Sequence, residues 1–392
     1  MSITNATFPL DYTSIQDQLW VVVESDNYEQ VNFKYIIDVY NNDTNQQLIR
    51  AKIYPDVTSG MGYFDVGSVV RNCMTYNWFF PYDSIGVNVP DIYGQIGFQY
   101  RIELGEEYNV GASGIQEINI TNNTTISLNY TPTVDDRKLF DISDYTNKYL
   151  TTRELPDSIT LRREEPFFIG FLGDFAGAAE VSYYVETSGD DYDSSSSSAS
   201  RFHQFNIGPA AVAAETGIIY SNTEWYDIII PNPDGKTIRV YIDDCPTLHD
   251  PYYLVFMNRF GMFDTAAFKC VSKFNMTVGR KAYETKEAKF DGLDVNYYTD
   301  SGFIKRWNES KVNYAQTIDW NYKLTMDYPT DADYRWLSEL VYSPQVYLKI
   351  GGDYFPVTIK NTNYEESKRI YAGLKTFEIE VERNTKLNGF RR

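Results

Sequence analysis

The stretch YYLVFMNRFGMFDTAAF, residues 252–268, decides how the rest of the chain is read. An apolar and aromatic run leads into Met257, the segment Asn258-Arg259-Phe260-Gly261 reverses direction, and a second run returns through Phe263 to Phe268. Short apolar runs on either side of a Gly-containing turn predict a buried β-hairpin. Tyr and Phe occur 34 and 23 times, and both suit pleated, half-buried surfaces and protein contacts. The composition therefore points to β-structure that meets other surfaces.

Upstream, residues 19–110 read as an antiparallel β-domain. Trp20-Val21-Val22-Val23 is a compact apolar strand, and Phe33, Tyr35, Ile37 and Val39 alternate on one face. Turn residues at 41–45 precede a return strand with Ile49, Ala51 and Ile53 on one side. Phe64-Asp65-Val66-Gly67-Ser68-Val69-Val70 looks like a strand end feeding one or two helical turns, capped by Asp65 or Ser68. Strands at 96–104 and 118–130 would complete an immunoglobulin- or fibronectin-like sandwich.

The next section replays this order. Residues 167–172 match the opening strand and 180–186 the alternating one. Phe205-Asn206-Ile207-Gly208 stands where Phe64-Asp65-Val66-Gly67 stood, with 238–242 and 252–257 as the later strands. A divergent tandem duplication is expected. The segment Gly189-Asp190-Asp191-Tyr192-Asp193, followed by serines 194–198, is expected to be an exposed, mobile loop. It lacks the central Gly and closing Glu of an EF-hand, so a solvated loop is favoured over a calcium site.

From about residue 279 the texture changes. Trp320, Tyr322 and Leu324 alternate on a strand, and Thr330 or Asp331 caps a helix that carries Trp336, Leu337, Leu340 and Val341 on one face. A hairpin about Gly351-Gly352 and a last strand at 376–382 complete a small α+β module. The fold class expected is mainly β, with two tandem immunoglobulin/fibronectin-like sandwiches at residues 1–132 and 133–278 and an α+β assembly module at 279–392.

Charge and cysteine usage narrow the function. Fifty-four acidic against 35 basic residues give a net charge of -19, which opposes generic binding to nucleic acid or to an anionic membrane. Three scattered cysteines without Cys-x-x-Cys encode neither a disulfide framework nor a zinc site, which suggests synthesis in a reducing cytoplasm. The start has no secretory pattern and no run approaches 18 apolar residues, so a soluble chain without its own export signal is expected.

Chemistry-bearing motifs are scarce. The two histidines, His203 and His249, lie in no metal or nucleophile motif, and no cofactor, metal or catalytic residue is assigned. Glu164-Glu165 and Asp135-Asp136 are adjacent carboxylates, which on a strand point to opposite faces and so do not form an acid-base pair. Trp225-Tyr226 and Trp78-Phe79-Phe80 are candidate interface residues, as sugar-stacking platforms or, preferably, as subunit contacts. Arg391 and Arg392 end a basic tail that is either frayed or an arm for an acidic neighbouring copy.

Asn258-Arg259-x-Gly261-x-x-Asp264-x-x-x-Phe268 resembles a segment common in β-rich virion proteins of tailed phages infecting Bacteroidota. Trp336-Leu337-x-x-Leu340-x-x-Ser343-Pro344-x-Val346-Tyr347, Pro356-Val357-x-Ile359 and the run at 281–286 extend the likeness over roughly residues 250–382. The resemblance implies a non-enzymatic tail, neck or baseplate component, present in several copies in the virion after synthesis in the host cytoplasm. Its implied partners are other virion proteins and copies of itself; the alternative is a receptor- or glycan-binding surface protein. The motif residues read as structural, so no functional site is carried over.

Overall fold

The computed structural model describes residues 3–9, 12–14, 18–42, 44–73, 97–109, 115–128, 149–172, 179–198, 202–230, 236–245, 250–284, 311–327, 330–360, 376–384 and 387–388. The chain is mainly β and divides into two compact units. One comprises Met1–Pro246 with Phe256–Thr265, the other Thr247–Val255 with Ala266–Arg392.

The first unit begins with β1 (Ile3–Thr7), β2 (Tyr12–Ser14), β3 (Trp20–Ser25), β4 (Lys34–Asn41), β5 (Gln47–Ile53), β6 (Gly62–Asp65), helix α1 (Gly67–Cys73), β7 (Gly97–Asn109) and β8 (Ile115–Leu128). They form a three-stranded sheet, β1-β3-β6, and a five-stranded sheet, β2-β8-β7-β4-β5. Alternation sends Val21 and Val23 from one sheet, and Tyr35, Ile37, Val39, Ile102 and Leu104 from the other, into one core. Fully burying side chains of this size stabilises by roughly 1.5–3 kcal/mol each. Tyr35 keeps its polar end satisfied by donating its hydroxyl to the Gly60 carbonyl at 2.7 Å. Its ring lies so near Gly62 that a Cβ there would sit 2.5 Å from Cδ2.

A second set follows: β9 (Ser158–Leu161), β10 (Phe168–Leu172), β11 (Ala179–Glu186), β12 (Asp191–Ser198), β13 (Phe202–Asn206), α2 (Pro209–Thr216), β14 (Trp225–Ile230) and β15 (Lys236–Ile242). Its sheets are β10-β13 and β12-β11-β14-β15-β9. Read from the other edge, the larger sheet runs β9-β15-β14-β11-β12, the order of β2-β8-β7-β4-β5. Both sheets also close with a parallel edge strand, β2 on β8 and β9 on β15, while their other described pairings are antiparallel. In each section one Asx side chain joins the helix start to the opening strand. Asp65 Oδ1 accepts the Leu19 and Gly67 amides, both at 2.9 Å, and Asn206 Oδ1 accepts the Phe167 and Gly208 amides, both at 3.0 Å.

The structure overturns two expectations. Residues 191–198, expected as a mobile loop, form β12, paired with β11 from Glu186↔Asp191 to Ala179↔Ser198. An edge strand needs backbone partners more than apolar side chains, so a polar run can be recruited by a neighbour of the right length. Residues 252–257 are not the counterpart of a sandwich strand either; β14 and β15 fill those places, and 252–257 joins another sheet.

That sheet contains β16 (Tyr252–Met257), β17 (Phe263–Phe268), β18 (Lys273–Glu284), β19 (Lys311–Asp327), β20 (Val346–Ile350), β21 (Asp353–Ile359), β22 (Thr376–Arg383) and β23 (Leu387–Asn388), with helix α3 (Asp331–Tyr342) between β19 and β20 in sequence. Its order is β17-β16-β20-β21-β22-β19-β18, with β23 on β19. The hairpin read first from the sequence is present. Asn258 Oδ1 accepts the Phe260 and Met262 amides at 2.9 and 3.1 Å, its Nδ2 donates to the Leu150 carbonyl at 2.8 Å, and Gly261 takes φ 81°. Thr330 and Asp333 cap α3 reciprocally, and its Tyr334 ring meets Phe377 of β22 edge-on at 6.3 Å.

Candidate interaction surface

Strand β18 has ten exposed and two half-buried residues along its length, with none buried. It pairs with β19 over that whole length, Lys273↔Lys323 at one end and Glu284↔Lys311 at the other. Residues opposite one another share a face, so Phe274, Met276 and Val278 lie beside Tyr322, Trp320 and Ile318. The result is an apolar stripe on one face of the β18–β19 ribbon, in which β19 also pairs with β22 at 321–327 and with β23 at 317–318. The other face carries Lys273, Asn275, Thr277 and Lys281 opposite Lys323, Asn321, Asp319 and Ala315.

The stripe starts inside the second unit and leaves it. Leu324 is fully buried and Tyr322 nearly so, while Phe274 and Met276 are 50% and 51% exposed. Phe274 lies 5.4 Å from the Trp320 ring and 5.1 Å from Tyr322, and Tyr322 meets Tyr252 at 5.6 Å. The Arg383 guanidinium sits 5.2 Å from the Trp320 ring and 3.6 Å from Phe355. Burial pushes the Tyr322 phenol up, whereas the hydrogen bond from Lys323 to Glu378, 2.7 Å long, raises the lysine.

Farther along, a register shift between Lys281 and Ala282 leaves Tyr314 without an opposite residue. Tyr283 and Tyr314 are 51% and 45% exposed with rings 6.1 Å apart. Among the described residues Arg280, Lys281 and Lys311 flank them in sequence and register, Arg280 on the Phe274–Met276 face, Lys281 on the Tyr283 face, and Lys311 opposite Glu284. Among the described residues this end of the ribbon is basic and aromatic, on a chain of net charge -19.

Of the residues singled out from sequence, Trp225 and Tyr226 do not make a shared platform. Neighbours on a strand face opposite ways, and Tyr226 is fully buried, donating its hydroxyl to the Ile207 carbonyl at 2.7 Å. Burial pushes that phenol well up. Trp225 is half-buried with the Arg239 guanidinium 4.3 Å from its ring, and Arg239 is held by Asp227 through two bonds of 2.7 and 2.6 Å. Glu164 is exposed and Glu165 buried, the latter accepting the Arg162 amide at 3.2 Å. Asp244 is taken up by Arg163, whose hydrogen bonds lower its carboxyl. Trp78, Phe79, Phe80, Asp135, Asp136, His249, Arg391 and Arg392 lie outside the described residues, as does the side chain of His203. Among the described residues no group of three His, Cys, Asp or Glu is placed to hold a metal, and no helix is long and apolar enough to cross a membrane.

One open cleft of about 600 Å³ lies at the β11–β12 turn, lined among others by Tyr184, Glu186, Asp190, Asp191, Tyr192 and Ile229. Its rim is fixed by Thr187, whose hydroxyl donates to the Asp190 carbonyl at 2.9 Å and accepts the Asp190 amide at 3.0 Å. Sequence reasoning found neither this cleft nor the ribbon. The alternation of Phe274, Met276 and Val278 was the available signal for the latter.

No family model matches the chain, and no curated protein does. Solved structures that overlap it include one from work on host-cell-surface retention of a 1.5-MDa bacterial ice-binding adhesin, at 8% identity, 82% of this chain, 91% of that chain and TM-score 0.17. Another is a Ca2+-stabilized adhesin of an Antarctic bacterium that binds ice, at 9% identity, 97% of this chain, 89% of that chain and TM-score 0.14. Overlaps this shallow define no common fold.

Proposed function

We propose that this chain is a non-enzymatic building block of a multi-copy protein assembly, and that the assembly is a phage virion, where the chain serves in the tail, neck or baseplate. The ribbon carries this reading. An apolar stripe running out of a packed sheet into solvent is stabilised when another protein covers it. The virion context rests on the resemblance of residues 250–382 and on the acidic composition, which disfavours nucleic acid as the partner. Mass spectrometry of purified particles, with the copy number it gives, tests the context. Mass photometry of the isolated chain tests assembly, and a chain that stays monomeric at every accessible concentration overturns it.

The cleft at the β11–β12 turn supports a second reading, a glycan- or receptor-binding surface protein, because tyrosine rings and carboxylates together suit a sugar. Glycan-array binding abolished by Tyr184→Ala would favour it over assembly.

A further inference from the structure

We infer that the ribbon of one copy docks into the cleft at the β11–β12 turn of a second copy, so that chains join head to tail. The inference deepens the assembly reading and rests on it. The occupant is chosen by charge. Among the described residues, Arg280 on one face and Lys281 on the other flank the Tyr283–Tyr314 end of the ribbon, with Lys311 opposite Glu284, and Glu186, Asp190 and Asp191 bring three carboxylates to the cleft. On a chain with 54 acidic and 35 basic residues, such a basic group finds its complement on another copy of the chain itself.

Shape and chemistry agree with charge. The cleft's volume falls in the range that receives side chains or small ligands, and Tyr184, Tyr192 and Ile229 give it apolar wall. Tyr184 is 38% exposed there, and the exposed Tyr283 and Tyr314 rings are aromatic anchors of the kind that dominate interfaces. The Thr187 bonds hold the rim in place before docking, so little ordering is lost on association. Ribbon and cleft are different surfaces of the same chain, which makes the contact heterologous. Each docked copy leaves one ribbon and one cleft unfilled, and the chain of contacts ends only by closing into a ring or by growing as a filament. Exposed charges carry the steering, so assembly weakens as salt shortens the screening length toward roughly 3 Å at 1 M.

The test is a charge exchange in the full chain. One variant carries Arg280→Glu with Lys281→Glu, the other Asp190→Lys with Asp191→Lys, and circular dichroism melts confirm that each is folded. Each alone is expected to self-associate about tenfold more weakly or worse than the parent. An equimolar mixture is expected to recover assemblies that alternate the two variants, because each ribbon then meets a cleft of opposite sign. Assembly by either variant alone at the parent level overturns the docking inference, as does a mixture that stays dissociated. A third variant, Phe274→Ser with Met276→Ser, separates the two claims: if only it dissociates the parent assembly, the ribbon assembles but its partner is not this cleft. A parent chain that never associates overturns both.

Discussion

Asp65 and Asn206 hold the same position in the two sandwiches and use the same atom in the same way. Each Oδ1 accepts one amide from the residue just before the opening strand and one from the glycine two residues on, so a single oxygen ties a strand entrance to a helix start. The surroundings differ, since Asn206 is 2% exposed and Asp65 is half-buried. Removing either oxygen leaves two amides unsatisfied, at about 1–3 kcal/mol for each that stays buried. Asn206→Ala is expected to cost about 2–4 kcal/mol and Asp65→Ala less, because water reaches the first site more easily. Asn206→Asp should destabilise by more than Asp65→Asn, since only the former places a charge in a buried site. Chemical denaturation of the four variants checks the order, and equal losses for Asn206→Asp and Asp65→Asn would contradict it.

Gly208 and Gly62 are both closed to a side chain, by different neighbours. A Cβ at Gly208 would stand 2.2 Å from the Glu165 carbonyl oxygen, whereas at Gly62 it would meet the Tyr35 ring. A backbone carbonyl yields less than a ring. Gly208→Ala should therefore destabilise by more than Gly62→Ala, with the latter costing on the order of 1–3 kcal/mol as an overpacked core site. Denaturation midpoints at constant m-value decide the ranking.

Asn258 satisfies the turn of the hairpin and reaches the Leu150 carbonyl. Asn258→Ala should cost about 2–4 kcal/mol, since it removes one buried acceptor of two amides and one donor. Gly261→Ala should cost about 1–2 kcal/mol through its left-handed φ alone. Proteolysis within residues 258–262 should rise in both variants, and unchanged cleavage would show that the turn does not depend on these atoms.

Tyr35 is pushed up to about 12, first by burial and then by the nearby Glu106. A tyrosine in the unfolded chain loses its proton near about 10. Between those values the unfolded state binds fewer protons than the folded one, so this residue's contribution is fully present below about pH 10 and is lost as pH rises toward 12. Tyr35→Phe should be less stable at pH 8, through the lost bond to Gly60, yet show a shallower decline between pH 10 and 12. Guanidinium unfolding across that window measures both, and parallel declines would exclude Tyr35 as their source.

Much of the fold is legible from residue order because local rules and burial agree. Alternation at Phe33, Tyr35, Ile37 and Val39 marks the strand that lines the core, although Ile36 and Asp38 on its other face are buried as well, Thr330 and Asp333 mark a helix start, and Asn258 to Gly261 mark a turn. The shared Asx-x-Gly text at 65–67 and 206–208 is legible too, because its function is local on one side. Other features needed the tertiary structure. The serine run became β12 because β11 offered it a backbone ladder, a property of the neighbour and not of the serines. Tyr226 went inside and Trp225 stayed at the surface because the sheet has two faces and register assigns them. The interaction surface arises only when residues 273–284 meet residues 311–327, since pairing sets the apolar side of one strand beside that of the other and so widens both into one stripe. Sequence by itself determined which segments are strands with an apolar side; only pairing between distant segments decided which of those sides were left in solvent, because exposure depends on what is packed against a face.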